Sequence, residues 1–171
     1  MRNGKLIAVS ALSTALGVIF LIIGAYFQTF DLSALFMSAI MMTLPLSKKS
    51  YKGAILTYFA TALLAFVFAI SRFHLALLYL GFFGIHPIIN YYQIHSDKNL
   101  WFLYPIKCVW FIGVCFLMYY VFSMFIVENP FLTKFMPLII ALLGIIIYIV
   151  YDFVMIRFQK MAFSLIKRLG L

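Results

Sequence analysis

Acid is scarce in this sequence. Asp31, Asp97, Glu128 and Asp152 are the four carboxylates among 171 residues. No two share one helix at a spacing that would set a general acid beside a general base. HExxH and GxSxG are also absent, so the chain reads as no enzyme. There is no GxxxxGK[ST] loop to cradle phosphates, so an energised role needs a partner that supplies the nucleotide chemistry. Cysteine is nearly absent too. Cys108 and Cys115 lie seven apart in one apolar run. That is roughly 10 Å of helical rise, too far for a bridge between them. No CxxC or Cys/His spacing points to a metal, and nothing points to a cofactor. Pro-, Ser- or Gly-rich linkers are missing, which leaves no hinge to a second domain.

Apolar residues fill the space. Two thirds of the chain (67%) is hydrophobic and 10% is charged, against about a quarter charged in soluble domains. Six apolar runs follow one another, at about 6–27, 32–46, 51–71, 73–92, 101–127 and 137–157. A span of about 30 Å of hydrocarbon needs roughly 20 such residues. Helices satisfy every backbone polar group within the segment, and the continuous apolar character excludes alternating barrel strands. The reading is an all-α membrane protein: a single integral domain over residues 1–171, ending in a short basic tail at 158–171. The first run could imitate a signal peptide, but it exceeds a typical signal core and lacks a convincing cleavage site. We read it as a retained helix.

The net charge of +9 does not point to nucleic acid, because the basic residues sit at the ends of the apolar runs. With the N-terminus inside, all of the 13 Lys and Arg except Arg72 and Lys134 fall on one side. That asymmetry predicts six spans with both termini in the cytoplasm.

Small residues recur at helical spacing. Ala8, Ala11 and Ala15 share a face of the first run. Gly53, Thr57, Thr61, Ala65 and Ala69 form a stripe along the third. Such stripes let backbones approach closely. They serve either internal packing of the first three helices or docking of a partner subunit. The partner-docking candidates are Ala8, Ala11, Ala15, Gly53, Thr57 and Thr61.

Ionisable residues within spans are candidates by default. His86, Lys107 and Asp152 fall at similar depth near the inner boundary, and Lys107 and Asp152 are placed to pair. The outer ends collect Tyr26, Gln28, Asp31, Arg72, His74, Tyr79, Glu128 and Asn129. Aromatic walls with a few polar groups suit a small-molecule pocket there.

These features resemble the substrate-binding S components of energy-coupling factor (ECF) transporters: six helices, this size, both termini inside. Ala11-Leu12-Ser13-Thr14-Ala15 is similar to that family's AxxxA docking motif on its first helix. The likeness covers the topology of the whole chain. It implies an S-component-like bundle that binds a small vitamin-type nutrient from outside, using connections such as Gln28-Thr29-Phe30-Asp31. It also implies docking onto a transmembrane coupling subunit served by cytoplasmic ATPases. The run from Leu77 through Gly84 to Asn90 resembles small, uncharacterised membrane proteins of Gram-positive bacteria. A second expectation belongs to another class: a non-transporting scaffold in envelope assembly, resembling the rod-shape-determining membrane protein D family.

Overall fold

The computed structural model describes residues 2–96, 100–123 and 130–168 of the chain. All regular structure among them is helical: α1 (Arg2–Tyr26), α2 (Asp31–Met41), α3 (Thr43–Ser47), α4 (Tyr51–Phe68), α5 (Phe73–Leu78), α6 (His86–His95), α7 (Leu103–Ser123) and α8 (Pro130–Arg168). Five helical segments are long and apolar enough to cross a membrane, and Asp31–Ser47 is a shorter apolar sixth. Contacts divide the chain into two units: Met1–Ser96 with Met155–Leu171, and Asp97–Val154.

In the first unit α1, α2 and α4 pack through small residues. The buried face of α1 reads Ser10, Ser13, Gly17, Leu21 and Gly24, a helical spacing of three and four. A side chain on Gly24 would come within 2.6 Å of the Ala34 Cβ, so glycine is what allows α1 and α2 to approach. Ser13 Oγ donates to the Met41 carbonyl, and Thr57 Oγ1 to that of Ser10 at 3.4 Å. In lipid, such close packing and cross-helix hydrogen bonds replace the hydrophobic drive that is missing between helices.

The link from α3 to α4 is very short. The Ser50 amide reaches back to the Pro45 carbonyl and the Lys49 amide to that of Leu46. This is the double bond of a Schellman helix end, with Lys49 left-handed at φ 54°. Ser50 then caps the next helix, its Oγ accepting from the Gly53 amide at 3.0 Å.

Between α5 and α6 the backbone widens into a π turn, Tyr79–Phe83, closed by the Gly84 amide on the Tyr79 carbonyl at 2.8 Å. The Leu80 carbonyl inside it accepts from the Tyr58 hydroxyl at 2.6 Å. Gly84 is required here, because a Cβ would lie 2.6 Å from the Tyr58 ring and 2.7 Å from that of Tyr79.

Several boundaries differ from the sequence reading, among them the start of α8 at Pro130 rather than near 137. The second run is two helices, broken near Met42 just ahead of Pro45. After Arg157 there is no free tail among the described residues: α8 continues to Arg168. Its end is anchored, with Gln159 fully buried and its Nε2 donating to the Pro87 carbonyl at 2.9 Å. Phe158 and Phe163 pack edge-on against Phe36 and Tyr91. Those apolar positions among the basic ones extend the helix.

The second unit pairs α7 with the first part of α8 through large side chains. Phe111 meets Tyr148 at 6.1 Å, and the Tyr148 hydroxyl donates to the Tyr104 carbonyl at 3.1 Å.

Candidate functional site

Three arrangements of polar or small residues stand out. The first is the α1–α4 groove. The alanine face of α1 points outward: Ala8, Ala11 and Ala15 are exposed, while Gly53, Thr57 and Thr61 are buried. The two stripes therefore part company. The stripe of α4 is engaged inside the bundle against Ser10 and Gly17 of α1, where a side chain on Gly17 would come within 3.1 Å of Thr61. The docking set is corrected on this point for Thr61, which packs internally. Gly53 and Thr57 remain at the floor of an open groove of about 580 Å³, with Ala11 and Ala15 as one wall and Ala60 and Leu64 on the other. At one end it meets a second concavity of about 650 Å³, bordered by Lys5, Lys48, Lys49 and Lys52, with Leu6 and Lys52 shared between the two.

The second arrangement gathers three of the residues assigned to a small-molecule pocket. Arg72 donates to both carboxylate oxygens of Asp31 at 2.8 Å, and its Nη1 reaches the Gly24 carbonyl at 3.3 Å. His74 Nε2 lies 3.9 Å from Asp31 Oδ2. The pair is partly buried, with about a quarter or less of each side chain exposed. It ties the start of α2 to the turn before α5. A fork-on-carboxylate contact is the strong form of an ion pair. Any anion arriving at Arg72 has to displace Asp31.

Tyr26 lies near this end and is exposed. The backbone of Gln28 lies in the short 3-10 turn before α2. Glu128 and Asn129 lie outside the described residues. Tyr79 does not join the set. Seven helical residues beyond Arg72, roughly 10 Å deeper, it is fully buried, and its hydroxyl faces those of Ser38 and Thr61. None of the three pairs reaches good hydrogen-bond geometry. This buried hydroxyl cluster was not legible in the sequence, because Ser38, Thr61 and Tyr79 come from three separate runs. The nearest signal was Gly81 and Gly84 around a π turn, a feature enriched at functional sites.

The third arrangement is the buried ion pair. Lys107 Nζ donates to Asp152 Oδ1 at 2.6 Å, with side-chain exposures of 1% and 5%. The ammonium also lies 4.9 Å from the centre of the Tyr104 ring. Both residues belong to the second unit, whereas His86, fully buried at the start of α6, belongs to the first. Among the described residues no group of three His, Cys, Asp or Glu side chains converges to hold a metal.

No protein-family model matches this sequence, and neither a curated protein nor a solved structure is detectably similar to it.

Proposed function

We propose that this chain is an S-component-like membrane subunit with six spans and both termini inside, which docks onto a transmembrane coupling subunit through the exposed face of α1. The observation that carries the reading is the outward position of Ala8, Ala11 and Ala15 beside an open groove. Lipid-facing positions nearby are large, such as Ile7, Leu12 and Ile19. A run of alanines among them leaves a trough into which another helix fits closely. The distribution of Lys and Arg supports the orientation. On this reading the Asp31–Arg72 end faces outward, and a vitamin-type nutrient enters near it.

Affinity purification in mild detergent, with mass spectrometry of proteins and small molecules, tests the proposal. A coupling subunit with its ATPases should co-purify, and one vitamin should raise the melting temperature. Ala11→Leu with Ala15→Leu should abolish the protein partner and leave the inserted chain intact. Retention of the partner by that variant refutes docking through α1. A second reading, the non-transporting scaffold, is favoured by one feature: both Asp31 carboxylate oxygens are already taken up by the Arg72 guanidinium. Its signature is a protein partner from envelope assembly, with no bound nutrient and no ATPase.

A further inference from the structure

The lysine end of the α1–α4 groove is not explained by docking of a helix. Lys5, Lys48, Lys49 and Lys52 border one concavity, and no carboxylate is among the residues lining it. That concavity shares Leu6 and Lys52 with the apolar groove. From Leu6 to Ala15 the groove follows nine residues of α1, roughly 14 Å of rise. This is about half the hydrocarbon thickness, the depth of one leaflet.

Two details sharpen what the occupant must be. Ser10 lies one turn beyond Leu6 on the groove wall. It is only 6% exposed, and its hydroxyl has no hydrogen-bond partner. A buried hydroxyl in lipid surroundings costs free energy unless something accepts its proton. Lys49 holds a left-handed backbone, φ 54°, at the helix-end position where glycine is preferred. A lysine kept where the fold favours glycine points to a role for the side chain rather than the backbone.

We propose that this groove binds one anionic phospholipid. Its phosphate sits among Lys48, Lys49, Lys52 and Lys5. Its glycerol segment crosses the groove at Ser10, and an acyl chain lies along Ala11, Ala15, Ala60 and Leu64. Basic pockets between helices at a membrane surface recognise such headgroups. The assignment does not depend on which side of the membrane the lysines face. Nor does it rest on the coupling subunit, since it is read on the isolated chain.

The test is native mass spectrometry of the full chain in mild detergent, titrated with phosphatidylglycerol and with phosphatidylcholine of identical acyl chains. Phosphatidylglycerol should be retained at least about tenfold more tightly. Changing Lys48, Lys49 and Lys52 together to Gln should weaken it to the phosphatidylcholine level, a loss of at least about tenfold. Lys49→Gly is the decisive single change. It relaxes the helix end, so the melting temperature should not fall, yet phosphatidylglycerol affinity should drop severalfold. Should the triple variant lose its fold, Lys49→Gly and Lys52→Gln carry the comparison alone. Equal retention of the two lipids by the unaltered chain overturns the proposal, as does undiminished phosphatidylglycerol binding by Lys49→Gly. Displacement by free glycerol phosphate at lipid-like concentrations makes this a small-anion site and also overturns it. Cross-linking of Lys48 or Lys52 to an acidic protein segment, in preparations without a lipid adduct, gives the groove to a protein and does the same.

Discussion

Breaking the Lys107–Asp152 pair should be far more damaging than removing it. The two atoms meet at 2.6 Å, and both side chains are essentially closed to solvent. In Lys107→Met the carboxylate loses its ammonium but stays buried. Loss of one partner from a buried pair leaves an uncompensated buried charge and costs about 3–5 kcal/mol. In Asp152→Leu the ammonium keeps at least the Tyr104 ring, 4.9 Å away. A cation over an aromatic ring contributes about 1 kcal/mol, which offsets part of the loss in this variant. In the double variant two apolar side chains of similar volume fill the space, and its stability should lie within about 1 kcal/mol of the original. The assay is equilibrium unfolding of the full chain in mixed micelles, arranged as a double-mutant cycle. A coupling energy of at least about 2 kcal/mol is expected. Strictly additive losses would refute the pairing.

The remaining predictions concern the first unit, with one control, Gly113, in the second. Gly24→Ala and Gly84→Ala should each lose about 1–3 kcal/mol, because the new methyl meets Ala34 or the Tyr58 and Tyr79 rings at 2.6–2.8 Å. Gly113→Ala, with nothing within 4 Å, should lose none in the same unfolding assay. Asp31→Asn should lower stability by about 1 kcal/mol, and less at high salt, because the pair is partly exposed. Exchanging the two charges, Asp31→Arg with Arg72→Asp, should restore part of the loss; no restoration would make the contact incidental. Ser50→Ala removes the cap on the Gly53 amide and should cost about 1 kcal/mol, read as a lower melting temperature.

The class and the placement of the helices were readable because hydropathy acts over whole runs, and a run of twenty apolar residues has few alternatives. The Lys107–Asp152 pairing was readable because sequential antiparallel helices bring equal depths together. The faces of the helices were harder. In water, polarity separates the inside of a helix from the outside; in lipid, large apolar residues suit both. The alanines of α1 and the stripe of α4 carry the same spacing, yet one is exposed and the other buried. What distinguishes them lies in other helices, such as Ser10, Gly17 and Ala34, and no local pattern reports it. Tyr79 shows the same limit. Its position near Arg72 in sequence suggested the surface, while the π turn carries it into the interior, where its hydroxyl faces those of Ser38 and Thr61. The lysines at 48–52 were legible as a topological signal, but their approach to Lys5 around one concavity required the fold.

The division of α1 into two faces bears on function more than any single residue. Its inner face uses serine and glycine to bring α2 and α4 close: the Ser13 hydroxyl donates to the Met41 carbonyl, and the Thr57 hydroxyl of α4 donates to the Ser10 carbonyl. Had α1 served only as an anchor, its outer face would carry large side chains throughout, as Ile7, Leu12 and Ile19 do. Small residues exposed to lipid gain little contact, because each removed methyl forfeits dispersion with the acyl chains. On the proposed reading, the exposed alanine row is where an occupant fits better than bulk lipid. The neighbouring lysines bias that occupant toward a bound anionic lipid, and the row itself suits a partner helix. Both use Ala11 and Ala15, so the two occupants exclude each other there. A partner that docks through α1 must first displace the lipid, and its affinity should fall as phosphatidylglycerol in the micelle rises. An affinity that does not change with phosphatidylglycerol would separate the two surfaces and place the partner elsewhere on the bundle.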